Sequence, residues 1–261
     1  MQRNQSQILG VGLLAGLVAG MLGVGGGLVM SPALLLRGLD VRKATGTALA
    51  IVPAAAAVAV AAEYLTAPEN HDPVLALAIA AGGPLGVWIG RAIDRRLGTT
   101  HLKFLFLSLL LLAAARSLGM FGQIPVQALA GFSNGDRILM GCGGAILGVG
   151  AGICSILFGV GGGIVVVPGL VFLVGGVGFH QATAISLMAM IPTALLALRV
   201  AWRDGRVEGH FLPALLLGAL PTAAVGVWLR NTWLDPRPLT LAFGAFLLFV
   251  SWRFIQPART L

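Results

Sequence analysis

Apolar residues fill long blocks separated by short polar connections, at about 8–36, 44–65, 73–90, 102–121, 138–175, 181–200, 210–230 and 238–255. Most blocks are near the roughly 20 residues that a helix needs to cross hydrocarbon. The pattern therefore predicts an all-α, polytopic integral membrane protein with about eight apolar segments. The first and fifth blocks are too long for one simple span. Each is interrupted by the same pentapeptide, Gly-Val-Gly-Gly-Gly, at Gly23–Gly27 and Gly159–Gly163, with Pro32 and Pro168 five residues beyond. Lipid excludes backbone that is neither helical nor paired, so the breaks are expected inside protein or along a cavity.

The halves carry the same punctuation. Gly12, Gly16, Gly23, Gly25 to Gly27 and Pro32 recur at Gly148, Gly152, Gly159, Gly161 to Gly163 and Pro168, at a constant offset of 136 residues. Ala44-Thr45-Gly46-Thr47-Ala48-Leu49 then matches Ala182-Thr183-Ala184-Ile185-Ser186-Leu187, and Gly86-Val87-Trp88 matches Gly226-Val227-Trp228. Three ordered blocks point to an internal duplication, a common construction in secondary transporters. The expected organisation is a first membrane repeat over 1–121, a connecting segment over 122–137 and a second repeat over 138–261.

Composition agrees. Hydrophobic residues make up 57% and charged residues 10%, with mean hydropathy +0.95, too little polar surface to coat a water-soluble globule. The polar opening before Ile8 has the form of a secretory signal, but equivalent stretches recur throughout, so it is expected to be retained as the first membrane segment. A net charge of +8 comes from basic residues in short connections, without a basic groove or interleaved aromatics. That excludes nucleic acid as a partner and indicates loops beside anionic lipid.

Lys and Arg favour the cytoplasmic side of short loops. If every block crosses once, the 17 basic residues divide 8 against 9. If the two glycine-broken blocks are instead re-entrant, 13 gather on one side and only Arg116, Arg137, Arg230 and Arg237 remain on the other. Three spans per half then make the repeats inverted. A ninth span over 117–133 gives the same division, although two Gln and a Pro make it a costly lipid-facing helix. Both arrangements place the C-terminus in the cytoplasm.

Helices that begin inside the bilayer present unpaired N–H groups and a partial positive charge. Gly25, Gly26, Gly27, Gly161, Gly162 and Gly163 would open two such half-helices, and without side chains they allow close approach of an anion. Inverted halves would bring both openings together near the midplane. Thr45, Thr47, Thr183 and Ser186 open the following segments. Their hydroxyls can donate to the anion or bond back to their own helix. The four-residue glycine spacings of Gly12, Gly16 and Gly20, and of Gly144, Gly148 and Gly152, suit tight helix crossing. Trp88 and Trp228 fit interfacial anchors, and Arg91 has Asn231 at its repeat position.

Acids are scarce. Asp40, Glu69, Asp72, Asp94, Asp136, Asp204, Glu208 and Asp235 fall in connections, leaving Glu63 alone within an apolar segment. No titratable pair has metal-site or hydrolytic spacing, so neither enzyme chemistry, nor a metal, nor a cofactor is expected. Cys142 and Cys154 are 12 residues apart in one helix, about 18 Å, too far for a disulfide. Export of an anion from a negative-inside cell gains about 2.3 kcal/mol per charge per 100 mV, whereas uptake needs a coupled ion. The shortage of carboxylates therefore favours export.

With Gly23-Val-Gly-Gly-Gly-Leu-Val-Met-Ser-Pro32, its echo Gly159-Val-Gly-Gly-Gly-Ile-Val-Val-Val-Pro168 and the two Ala-Thr blocks, the chain resembles the sulfite exporter TauE/SafE family over nearly its whole length. Ala48 and Ile185 depart from that family's usual Thr-Ser pair. The resemblance implies a multi-pass carrier of the cell inner membrane for small anions such as sulfite and organosulfonates. Two other readings stay open at this level: proton-coupled uptake using Glu63, and a scaffold whose glycines serve packing alone. Whether the chain forms a homodimer is also open.

Overall fold

A computed structural model describes residues 2–96, 104, 107–108, 111–112, 114–115, 118, 134–171 and 177–255. The fourth apolar block, the connection that follows it and the ninth span weighed for 117–133 lie largely outside the described residues. Among the described residues the chain is helical, with no strand. The helices are α1 (Gln2–Leu22), α2 (Gly27–Leu35), α3 (Val41–Thr66), α4 (Pro73–Arg96), α5 (Asn134–Phe158), α6 (Gly163–Gly169), α7 (Phe179–Arg203), α8 (Leu212–Trp233) and α9 (Pro236–Ile255). Six of them, α1, α3, α4, α5, α7 and α8, are long and apolar enough to cross a membrane. Both elements ahead of the glycine breaks, α1 and α5, have that length.

Local chemistry sets several boundaries. Asp40 accepts from Arg42 N at 3.2 Å and starts α3. Asp72 accepts from Leu75 N at 3.0 Å in the first turn of α4. Caps of this kind contribute about 0.5–2 kcal/mol each. Helix α4 runs past the apolar block to Arg96, which corrects one reading of the sequence: Asp94 is not in a connection but on the helix, and it is buried. The apolar run ends at residue 90, yet the backbone has no reason to stop there without a breaker.

The glycines at four-residue spacing make two tight crossings. A Cβ at Gly12 would lie 2.6 Å from Leu215 O, and Cβ atoms at Gly16 and Gly20 would strike the Ala219 and Ala223 carbonyls. In the other crossing, Gly82, Gly86, Gly148 and Gly152 lie against the facing backbone of α4 or α5 in the same way. Only hydrogen at these positions lets the helix backbones touch. Partners advance in step, so α1 and α8 run parallel, as do α4 and α5. Each crossing joins a helix of the first half to one of the second.

Helices α3 and α7, which carry the matching Ala-Thr blocks, run antiparallel. Lys43 at the start of α3 reaches Glu208, just beyond the end of α7, at 2.6 Å. At the other end, Arg230 bonds both Glu63, late in α3, and Thr183, early in α7. Helix α2 returns along α1, and Arg37 just beyond it donates to Gln7 near the start of α1 at 3.0 Å. Leu14, Leu77, Leu85, Leu217 and both repeat-matched tryptophans, Trp88 and Trp228, are exposed on the outside of the bundle. An apolar exterior over a packed interior is what lipid as solvent requires.

Candidate functional site

Both pentapeptides are wholly buried. Gly23, Gly25 and Gly26 have φ of 68°, 70° and 70°, and Gly159, Gly161 and Gly162 have φ of 71°, 77° and 90°. Glycine enters this left-handed region freely, and any other L-residue is strained there. Each break therefore turns the chain without leaving the protein interior. Gly26 and Gly162 are the N-cap residues of α2 and α6, and neither helix start has a side-chain cap. First-turn N–H groups at both starts thus lack a side-chain acceptor.

The breaks cross. Gly27 packs on the Gly159 carbonyl, and Gly163 packs on the Gly23 carbonyl, so the two segments pass in opposite directions. At their centres a Cβ on Gly25 would lie 2.5 Å from Met190 Sδ and 2.9 Å from Val52 Cγ1. A Cβ on Gly161 would lie 2.5 Å from Val52 Cγ1 and 2.6 Å from Met190 Sδ. The same two side chains, one from α3 and one from α7, therefore fill the space beside both breaks.

The hydroxyls singled out from the sequence gather at this crossing but are engaged with protein. Ser186 donates to Gly23 O at 2.9 Å. Thr183 donates to His180 O at 2.7 Å and accepts from Arg230 at 2.6 Å. Thr45 donates to Arg42 O at 3.2 Å, and Thr47 accepts from Glu208 N at 2.9 Å. Each break starts against one of these threonines: Gly23 on Thr183 and Gly159 on Thr45. Two serines not anticipated join them. Ser31 donates to Phe158 O at 3.2 Å. Ser155, one turn before Gly159, is buried and its hydroxyl has no hydrogen-bond partner among the described residues.

Ion pairs close the crossing at both ends. Arg230 and Glu63, each fully buried, form one. Asp94, 2% exposed, meets Arg206 in the other, with Arg42 at 3.5 Å from its second oxygen. Asp204 extends this second group through Arg91 at 2.5 Å and Arg206 at 3.5 Å. The sequence places Arg230, Arg206 and Asp94 in connections; Arg230 and Asp94 instead lie on α8 and α4, whereas Arg206 does lie in the connection after α7 but is buried there. Among the described residues no cluster of three or more His, Cys, Asp or Glu could hold a metal.

Bilayer-length helices around two interrupted helices that meet centrally define a polytopic membrane protein of the broken-helix type. The chain belongs to the sulfite exporter TauE/SafE family, whose model matches residues 1–117 and 144–260. It is similar to a sulfite exporter TauE/SafE family protein 3 of Arabidopsis thaliana, 31% identical over 133 residues that cover 47% of this chain and 28% of the relative. The match thus spans less than a third of that relative's length. No solved structure matches the chain.

Proposed function

We propose that the protein is a secondary carrier that exports small oxyanions, such as sulfite or organosulfonates, across the inner membrane, holding the anion where the two glycine breaks cross. The observation that carries this reading is the crossing itself: two uncapped helix starts at Gly27 and Gly163, side by side inside a bundle of bilayer-length helices. Backbone N–H groups and helix dipoles at such starts favour negative charge. The Ser155 hydroxyl adds a buried donor with no partner among the described residues.

The halves act as inverted repeats in this reading. Antiparallel α3 and α7, together with a return of α2 that brings Arg37 back to Gln7, support halves of opposite orientation with re-entrant breaks. Here the crossing is closed, because Val52 and Met190 occupy its centre. Met190 is unbranched and adaptable, so its displacement is the least costly way to admit an anion.

Flux of sulfite from liposomes containing the purified protein tests the reading. Gly26→Val and Gly162→Val are expected to abolish flux while membrane insertion is retained. Each places a β-branched side chain at positive φ, with its Cβ 2.8 Å from Ala15 O or 2.6 Å from Ala151 Cβ. Retained flux in both variants overturns the placement of the anion at the glycine crossing, and a wild type that moves none of a panel of small anions overturns the carrier reading and leaves the packing scaffold.

A further inference from the structure

The two buried ion pairs lie at opposite ends of the crossing, and anion binding at the glycines gives them no role. Beyond Gly23, Arg230 donates to Gly20 O at 3.1 Å, Thr183 Oγ1 at 2.6 Å and Asn231 Oδ1 at 3.1 Å, and it meets Glu63. Beyond Gly159, Arg206 lies on Gly46, where a Cβ would be 2.6 Å from its own Cβ, and it meets Asp94. In both places the acid comes from the first half and the arginine from the second.

A buried ion pair is a poor way to fasten two halves. Desolvation of both ions consumes most of their attraction, and a well-packed apolar pair does as well or better. What a guanidinium offers beyond attachment is a planar fork that receives two oxygens of one anion. We propose that Arg230 and Arg206 are the residues that receive the oxyanion at the two ends of its path, and that Glu63 and Asp94 are tethered substitutes occupying them when no anion is present. This rests on the carrier reading above and names the side chains that reading lacks.

Exchange of carboxylate for cargo keeps each guanidinium paired throughout. The leaving carboxylate has somewhere to go at both ends. Glu63 is one turn from the end of α3, and its other oxygen accepts at 2.9 Å from Asn70, in a partly exposed turn. Asp94 has Arg42 beside it, whose side chain is 51% exposed. At the first end a further polar atom stands by: His180 Nε2 is buried with no partner among the described residues, and the His180 carbonyl accepts from Thr183, the hydroxyl that Arg230 bonds. The ligand class is an oxyanion with two oxygens able to face one guanidinium, which sulfite and sulfonates satisfy and a halide does not.

The test follows thermal unfolding of the full chain in lipid nanodiscs across sulfite concentrations, with chloride holding ionic strength constant. Wild type is compared with E63Q, D94N and the double variant E63Q/R230Q. Without sulfite, E63Q is expected to unfold below wild type, because Arg230 has lost its partner. Sulfite should restore it, at a half-saturating concentration about tenfold lower than in wild type, since removing the internal competitor frees the binding-competent state. D94N should behave likewise at the other end, and E63Q/R230Q should lose the gain. A wild type that responds to sulfite while E63Q and D94N respond no more strongly overturns this proposal and leaves the carrier reading standing. Silence of wild type and all variants sinks both. Failure of E63Q and D94N to fold even in saturating sulfite, or equal restoration by chloride alone, also overturns it.

Discussion

The two ends of the glycine crossing are built from the same parts and sealed to different degrees. At one end Arg230 and Glu63 stand together with no exposed surface. At the other, Arg206 and Asp94 belong to a group that includes Arg42, Arg91 and Asp204, and Arg42 and Arg91 reach the surface with side chains 51% and 33% exposed. The two pairs are not copies of one another in the repeat, since at both ends the acid comes from the first half and the arginine from the second. They also differ in how dry they are. An isolated dry pair is costly to break and slow to rewet, whereas a wet network can rearrange one contact at a time. The first end is thus the firmer seal, and the second is the end more readily opened to water.

Removing one carboxylate at each end breaks the comparison most directly. Glu63→Ala leaves Arg230 charged, buried and without an acid, and should cost about 3–5 kcal/mol in unfolding measured in mild detergent. Asp94→Ala leaves Arg206 with Asp204 at 3.5 Å, so its cost should be smaller, about 1–3 kcal/mol. Equal losses would mean that the second network behaves as a dry pair too, and the asymmetry between the ends would be wrong.

Glycine substitutions sharpen a second contrast, between crossing and lipid-facing positions on one helix. Gly16→Ala drives a methyl into the Ala219 carbonyl of α8 and should cost about 1–3 kcal/mol as the helices separate. Gly10→Ala meets nothing within 4 Å and should raise stability by about 0.5–1 kcal/mol, because alanine restricts the unfolded chain and favours helix. The same detergent unfolding assay reads both. Similar effects at the two sites would deny that the α1 and α8 backbones touch.

Much of this architecture is legible in the sequence because it depends on local patterns. The duplicated pentapeptide marks where α2 and α6 begin, and the small-residue spacing marks the α1–α8 and α4–α5 crossings. Trp88 and Trp228 face outward, as amphipathic anchors do. The ion pairs were not legible, since they join residues that are distant in the chain and belong to different halves. Arg230 and Asp94 also sit at the ends of apolar runs, where a charge reads as a loop signal until the helix is seen to continue through it. Thr45, Thr47, Thr183 and Ser186 show a further limit: spacing brings them to the crossing, but only geometry shows that each hydroxyl already has a protein partner.

The smallest expected effect lies at the surface of the wetter end, where Lys43 reaches Glu208 at 2.6 Å. The hydrogen bond from Lys43, and after it the Lys43 charge, hold the Glu208 carboxyl below its ordinary range. A carboxyl lowered in the folded state stabilises above its unfolded pKa, and that contribution is lost as pH falls through the lowered folded value. The loss therefore belongs below about pH 4, where unfolded glutamate begins to take up protons. Exposed pairs of this kind are screened by salt. Glu208→Gln should accordingly change stability less than any substitution above, with a difference from wild type that shrinks further at high salt and vanishes in acid. A Glu208→Gln effect as large as that of Asp94→Ala, or one insensitive to salt, would place Glu208 within the sealed network and extend the dry region of this end out to the loop after α7.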